Sequence, residues 1–470
     1  MPANPIETDY LIVGTGAVAM AFADTLVDHT DAQVVMVDRH HRPGGHWNDA
    51  YPFVRLHQPS AYYGVNSREL GSGGKDLVGL NQGLHELASG TEVLEYFEQV
   101  MNQRLLPSGR VRYFPMCDYA EGADGTHGWT SKMNGRHQPV VVRRKVVDGT
   151  LTRTRVPSTH APSYRVAAGV RCMPPNALPA LRETPARYTV VGGGKTAIDT
   201  CLWLLHAGAE PHVIRWIRPR EAWLLDRANV QPSLPFFERS IGSLVAQVEA
   251  IASAGSVAEL FARLEEQGQL LRIDPAVTPT MYRCATISQP ELAALRRIED
   301  VVRMGHVTAI EPGHIVLEHG SIPTVAGEVV IDCCADGIPS PPAQPVFERD
   351  RIRLMMVRTC QPALSGALIA FVETHIDEPA EKNAMCAVVP TPAHPMDWLR
   401  MWAVSLANAQ QWRKHPEVGQ WLSQSRLNSL TTMMRGMPAD DVDRHALLKR
   451  YGAGAAQAMA KLPQLLAEAA

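Results

Sequence analysis

VVGGGKTAID, residues 190–199, is the stretch on which the fold turns. A short apolar strand runs into three glycines and then a Lys-Thr pair. Two templates compete for it. A phosphate-gripping ATPase loop reads G-x-x-x-x-G-K-[ST] and needs a glycine at position 189. Thr189 stands there, and the apolar run Tyr188-Thr189-Val190-Val191 abuts Gly192 directly, so no loop remains to wrap a phosphate. Gly192, Gly194 and Ala197 instead fit G-x-G-x-x-A, the turn of a dinucleotide-binding βαβ unit. The spacing predicts a helix from about Lys195 to His206, with Ile198, Cys201, Leu202 and Leu205 on one face. Gly208 is a stop signal, and a second strand is expected over 212–217. Pyrophosphate would rest on the helix N-terminus, beside Lys195 and Thr196, where free N–H groups and the dipole favour an anion.

The pattern occurs twice. DYLIVGTGAVAMAFADTL, residues 9–26, gives a strand over 9–13, then Gly14, Thr15, Gly16, Ala17 and Ala19, then a helix to about Val27. The strand QVVMVD, residues 33–38, ends in Asp38 and is followed by Arg39. An acid at this strand end accepts the hydroxyls of an adenosine ribose. Laid over it, the second unit puts Ile217 opposite Asp38 and continues Arg218-Pro219-Arg220. A carboxylate would repel a ribose 2′-phosphate, whereas an arginine grips it. The first turn therefore reads as a site for a dinucleotide with a free ribose. The second reads as an NADPH site, with Arg218 and Arg220 ahead of Arg215 for the phosphate.

Composition sets the frame. The 470 residues suggest several domains; 45% are hydrophobic and 20% charged, enough for large cores. A formal charge of −3 offers no electrostatic footprint for nucleic acid or an anionic membrane. The N-terminal residues lack the pattern of a secretory leader, and no apolar run reaches membrane-spanning length, which predicts a cytoplasmic protein. The eight cysteines form no C-x-x-C, so neither a zinc knuckle nor a dithiol flavoprotein reductase is expected, and the thiols are read as reduced small hydrophobes. His40, His41 and His46 lack metal-ligand spacing, so no metal is expected.

After Asp38 come Gly44, Gly45, His46 and Trp47. An acid at the strand end with GG-x-W after it, and a second fingerprint far downstream, resembles the flavin-containing and Baeyer–Villiger (class B) monooxygenases. The resemblance implies an α/β chain of two Rossmann-type dinucleotide-binding domains, with a glutathione-reductase-like FAD domain in two segments and an inserted NADP domain. On that plan residues 1–165 are the first FAD segment. Residues 180–325 are the NADPH domain, with a helical insertion over 232–300 broken near Ala254-Gly255. Residues 326–395 are the second FAD segment and 396–470 a helical tail whose tryptophans, Trp398, Trp402, Trp412 and Trp421, pack on the body or on a dimer mate. FAD would be held by Gly14, Thr15, Gly16, Ala17, Ala19, Asp38, Arg39, Gly45, His46 and Trp47. Tyr51, Pro52, Arg55 and Tyr62 match positions that line the flavin in the family. GEVVIDCCADGI, residues 327–338, resembles the strand that re-enters the FAD domain, with Asp336 at its turn, and ALIAFVETH, residues 367–375, resembles that domain's last strand.

The implied activity is FAD- and NADPH-dependent monooxygenation of a small organic substrate with O2, through a flavin C4a-(hydro)peroxide. Arg55, His57 and Gln58 are the catalytic candidates, on the loop expected over the flavin. The family's F-x-G-x-x-x-H signature is missing: no Phe is followed two residues later by Gly, although His160 remains in the corresponding stretch. Two alternatives stay open, an NADPH-dependent FAD oxidoreductase or oxidase without oxygen insertion, and a non-catalytic FAD-binding protein. The absence of W-x-W excludes the halogenase signature. Substrate identity and oligomeric state are not legible.

Overall fold

The computed structural model describes residues 4–151, 154–335 and 343–468. β1 (Ile6–Val13) enters a Gly-rich turn, α1 (Ala17–His29) follows, and β2 (Val34–Val37) lies parallel to β1, with Tyr10 opposite Val34. α2 (Gly90–Val100) begins at a capping box made by Ser89 and Glu92, which satisfies its first N–H groups. Four more strands complete the order β3 (Val111–Phe114), β2, β1, β6 (His137–Asp148), β5 (His127–Ser131), β4 (Cys117–Glu121). Tyr10, Leu11 and Ile12 of β1 and all four residues of β2 are buried, so the end of β1 and the whole of β2 read as apolar runs.

The second unit repeats the first. β7 (Arg187–Val191), α3 (Lys195–His206) and β8 (Ile214–Ile217) form a parallel βαβ with Ile217 opposite Val191. The chain then makes β9 (Ala222–Asp226), α4 (Phe237–Ser253), α5 (Val257–Glu266) and β10 (Met281–Ile287), where β9 and β10 pair in parallel as a separate small sheet. The expected helix break at 254–255 is present, but the 232–300 insertion carries a full strand as well as helices.

β11 (Glu328–Asp332) pairs with β7, so the strand expected to re-enter the first sheet belongs to the second; re-entry is made later by Arg351–Arg353 beside β6. Asp336 lies outside the described residues. The stretch 367–375 is not a strand. It is part of α6 (Pro362–His375), whose residues from Ala363 to Val372 are all buried. An element enclosed on every side shows no period, so a buried helix and a buried strand look alike in sequence. α6 lies on α1: a Cβ at Gly366 would stand 2.3 Å from the Val18 carbonyl oxygen, and His29 stacks edge-on against Phe371 and His375. The start of each helix meets the start of the other, so α1 and α6 point their N-termini at the same edge of the sheet.

The C-terminal part is helical, with α7 (Pro395–Lys414) and α8 (Val442–Ala467) the longest elements. Trp398, Trp412 and Trp421 are buried, as expected of tryptophans that pack on the body. No helix among the described residues is long and apolar enough to cross a membrane.

Candidate functional site

The first cradle is made of backbone. Gly14 has φ +89°, a conformation L side chains rarely adopt, and α1 starts at Gly16 with no side-chain cap and no acid in its first turn. Its first N–H groups therefore remain free for an anion. The loop carrying Gly44 and Gly45 folds down onto this turn: Gly44 N donates to the Thr15 carbonyl at 2.9 Å, and a Cβ at Gly45 would stand 2.9 Å from Gly16 Cα. Ala19, the third position of the fingerprint, faces Gly149 with equally little room. Trp47 is buried and donates from Nε1 to the Tyr63 hydroxyl at 2.7 Å. Tyr62, the sequence-predicted partner of the loop, turns instead into an apolar cluster with Phe237, Ile241 and Met433.

Asp38 closes the cradle. Its Oδ2 accepts from Thr15 N at 2.6 Å and Thr15 Oγ1 at 2.7 Å, and its Oδ1 accepts from His40 N at 2.8 Å and lies 3.0 Å from His40 Nδ1. Burial alone would raise this carboxyl, but the hydrogen bonds from His40 and Thr15 outweigh it and hold it below the usual range. Its lone pairs are all engaged, so a ribose diol has to displace the Thr15 hydroxyl or the His40 ring. Arg39 is exposed. Tyr113, at the end of β3, buries a hydroxyl with no partner beside Thr15 and Asp38, and sequence reasoning missed it.

The second cradle has the same logic. Gly192 has φ +134°, a Cβ there would stand 3.2 Å from the Cys333 carbonyl oxygen, and α3 starts at Gly194 without a side-chain cap. A Cβ at Gly193 would stand 2.5 Å from the Arg220 carbonyl oxygen, which puts the Arg218–Arg220 turn directly on the glycines. The two arginines differ. Arg218 is buried, lies over Trp216 and pairs with Glu221 at 3.1 Å. Arg220 is exposed. Arg303, not singled out in the sequence, also pairs with Glu221 at 2.8 Å. Two guanidiniums thus face Glu221, and Arg303 is shared with Asp274 at 2.7 Å. Arg215 is held by Asp300 and the Pro323 carbonyl and is structural.

A single segment, residues 49–58, joins the cradles. His40 Nε2 stands 2.9 Å from Asp49 Oδ2, so His40 links Asp38 to this segment. The hydrogen bond to Asp38 is the main cause that raises the His40 pKa above its ordinary value. Tyr51 donates to Asp199 Oδ2 at 2.6 Å, and Asp199 also pairs with Lys195 at the start of α3. Asn176 ties down the Asp49 and Ala50 carbonyls, and Thr286 Oγ1 donates to the His57 carbonyl.

His57 faces this junction. Burial, then the positive charges of Lys195 and Arg227, push its pKa well below the ordinary value. Burial likewise pushes His46 down to about 4. Both rings are neutral at pH 7. Arg55, a catalytic candidate in the sequence, points outward with half its side chain exposed, 3.6 Å from Asp76. The buried guanidinium here is Arg227, 1% exposed. It donates to Glu291 Oε2 at 3.0 Å and to the Thr286 carbonyl at 3.1 Å, while Nε and Nη1 have no partner. Asn81 donates to the other Glu291 oxygen at 2.8 Å. Gln58 donates to the Cys360 carbonyl at 2.8 Å, so its amide is spent on the backbone that leads into α6.

The cysteines bring a correction. Cys284 and Cys360 form a disulfide across 76 residues of sequence, and the six others are free. Spacing along the chain says nothing of a pair that only the fold assembles. Among the described residues no group of three His, Cys, Asp or Glu side chains could hold a metal ion.

Comparison with known proteins agrees with this architecture. The NAD(P)-binding Rossmann-like domain family matches residues 12–65, the first turn and the bridging segment. Uncharacterized protein Rv2000 of Mycobacterium tuberculosis is 52% identical over 433 residues, which span 92% of this chain and 80% of that protein. The Mycobacterium bovis protein Mb2023 matches to the same extent. Among solved structures, the polycyclic ketone monooxygenase of Thermothelomyces thermophila superposes with a TM-score of 0.55 at 13% identity, over 97% of this chain and 89% of that one. Cyclohexanone-bound cyclohexanone monooxygenase superposes with a TM-score of 0.50 at 12% identity, over 96% and 99%. At such identity the likeness speaks to the fold: two dinucleotide-binding α/β units with a helical C-terminal part.

Proposed function

The chain belongs to the family of the mycobacterial protein Rv2000, and from its two joined cradles we propose that it is an FAD- and NADPH-dependent oxidoreductase that oxygenates a small organic substrate. The observation that carries the reading is the bridge at residues 49–58. Asp49 reaches the first cradle through His40, and Tyr51 reaches the second through Asp199. A protein that merely stored one nucleotide has no need of a hydrogen-bonded path between two.

The residues fit the groups. At the first cradle the uncapped α1 terminus and the glycine contact between residues 16 and 45 suit the pyrophosphate of FAD, with Asp38 and Tyr113 at its ribose. At the second, Gly192, Gly194 and Thr196 suit that of NADPH, and the exposed Arg220 suits its 2′-phosphate, with Arg218 and Arg303 facing Glu221. A bound flavin would supply hydride acceptance and oxygen activation.

The chain's own groups do the rest. Tyr51 and Asp199 hold Lys195 and the start of α3 against the bridge, which fixes the nucleotide side relative to the flavin side. His57, neutral and hemmed in by Lys195 and Arg227, can accept one proton where the cradles meet. The two unpartnered nitrogens of Arg227 offer donors to an oxyanion. Arg227, rather than the half-exposed Arg55, is then the guanidinium set against negative charge at this junction. The test is product analysis: the purified protein with FAD and NADPH is given small ketones and soft nucleophiles under 18O2. Label in the product supports oxygenation; NADPH consumption that ends only in peroxide supports the non-inserting oxidase instead.

A further inference from the structure

The Cys284–Cys360 disulfide is placed where two units meet. Cys284 lies on β10, in the small sheet that grows out of the second nucleotide unit. Cys360 lies just before Pro362, the first residue of α6, which packs on α1 of the first. Four non-glycine residues among those described have left-handed backbone, and Cys284 (φ 54°) and Cys360 (φ 53°) are two of them. Such conformations persist only where the surroundings enforce them, and they gather at working sites.

Each cysteine is aimed by a device. On the small sheet Trp223 faces Tyr282 and Leu225 faces Thr286, so Leu224 alone answers Arg283, Cys284 and Ala285. This bulge turns the Cys284 side chain out of the alternation of β10. On the other side, Thr359 N donates to Ser405 Oγ of α7 at 3.1 Å, and the Cys360 carbonyl accepts from Gln58. Thr286, two residues past Cys284, holds the His57 carbonyl. Both ends of the bond are thus wired to the segment that joins the cradles. Cys284 and Cys360 are half-buried, at the margin of the apolar cluster that contains Tyr282 and Met401. Cys201, Cys333 and Cys386, by contrast, are buried, and burial raises their thiols.

We propose that Cys284–Cys360 is a thiol–disulfide exchange site for small dithiols, whose opening releases β10 from the N-terminal turn of α6. One thiolate of the dithiol attacks Cys284 Sγ, the Cys284–Cys360 bond breaks, and Cys360 Sγ leaves with the electron pair. The departing sulfur sits at the uncapped N-terminus of α6, where negative charge is favoured. The second thiol of the dithiol then displaces Cys284. The dithiol is oxidised to its cyclic disulfide, its two protons pass to the two cysteines, and no other oxidant or reductant takes part. What changes in the protein is the covalent tie between its two nucleotide units at the bridge.

The experiment uses the full chain purified without reductant, and neither readout depends on bound cofactor. Under denaturing, non-reducing conditions maleimide labelling followed by intact mass should count six thiols, with Cys284 and Cys360 found as one crosslinked peptide pair. Dithiothreitol added to the native protein should release both, and hydrogen exchange should rise about tenfold or more at residues 281–287 and 358–361 while β1 and β7 keep their protection. The double variant Cys284→Ser/Cys360→Ser should exchange at those segments as the reduced protein does and should not respond to dithiothreitol. Eight labelled thiols without reductant, release only after unfolding, or a double variant as protected as the oxidised protein would each overturn the proposal.

Discussion

Tyr51 and Asp199, 148 residues apart in sequence, share a 2.6 Å hydrogen bond between the bridge segment and helix α3. Tyr51 is buried, and burial, with the Asp199 charge behind it, pushes its hydroxyl well above its ordinary range, so it remains a donor at any working pH. The contact fixes how one dinucleotide cradle stands relative to the other. Tyr51→Phe keeps the ring and removes the donor. It should lower the unfolding free energy by about 1.5–3 kcal/mol, the usual worth of a hydrogen bond to a charged partner, as read from urea midpoints.

Arg220 is the exposed cation of the second cradle. Arg220→Ala should raise KM for NADPH by roughly ten- to a hundredfold through loss of charged hydrogen bonds, with little change for NADH. Steady-state reduction of an artificial acceptor with each nucleotide checks this. Arg218→Ala should be worse for stability than for selectivity, because it leaves Glu221 short of a partner in a buried corner.

Asp38 anchors the first cradle through four hydrogen-bonding contacts with Thr15 and His40. Asp38→Ala should give protein that is recovered folded but with its 450 nm flavin absorbance lost. Retention of a full complement of FAD would remove Asp38 from the ribose site.

The histidines predict a pH dependence. His46 and His57 have folded pKa values below the unfolded value of about 6.5. In the window below that value the unfolded chain binds more protons, so their contribution to stability is complete above pH 6.5 and is lost as pH falls, toward about 4 for His46. His40 has the opposite sign: its pKa is raised, and its contribution is present below about 6.5 and lost as pH rises through the folded value. Urea midpoints between pH 4 and 7 should fall on the acid side, and His46→Asn should flatten that limb.

The two βαβ units were legible because a glycine turn between a strand and a helix is local, and the helix over 195–206 lies where its period puts it. α6 was misread as a strand because full burial erases the period. The positions of Asp38 at the end of β2 and of the glycines in the two turns follow from the same local pattern. Arg227 was not: nothing in Leu225-Asp226-Arg227-Ala228 marks an arginine that the fold buries, and its partners Glu291 and Thr286 lie far along the chain. Arg55, on the loop expected over the flavin, instead turns its side chain toward Asp76 at the surface. The disulfide was invisible to any rule based on spacing, since its halves belong to different units.

The central claim is that two nucleotide sites in one chain exchange electrons. The most direct measurement is an anaerobic titration of the FAD-loaded protein with NADPH, and in parallel with NADH, following flavin absorbance. The account predicts that the flavin band bleaches stoichiometrically with NADPH, at concentrations well below those needed with NADH. Yellow protein that neither nucleotide bleaches would contradict it.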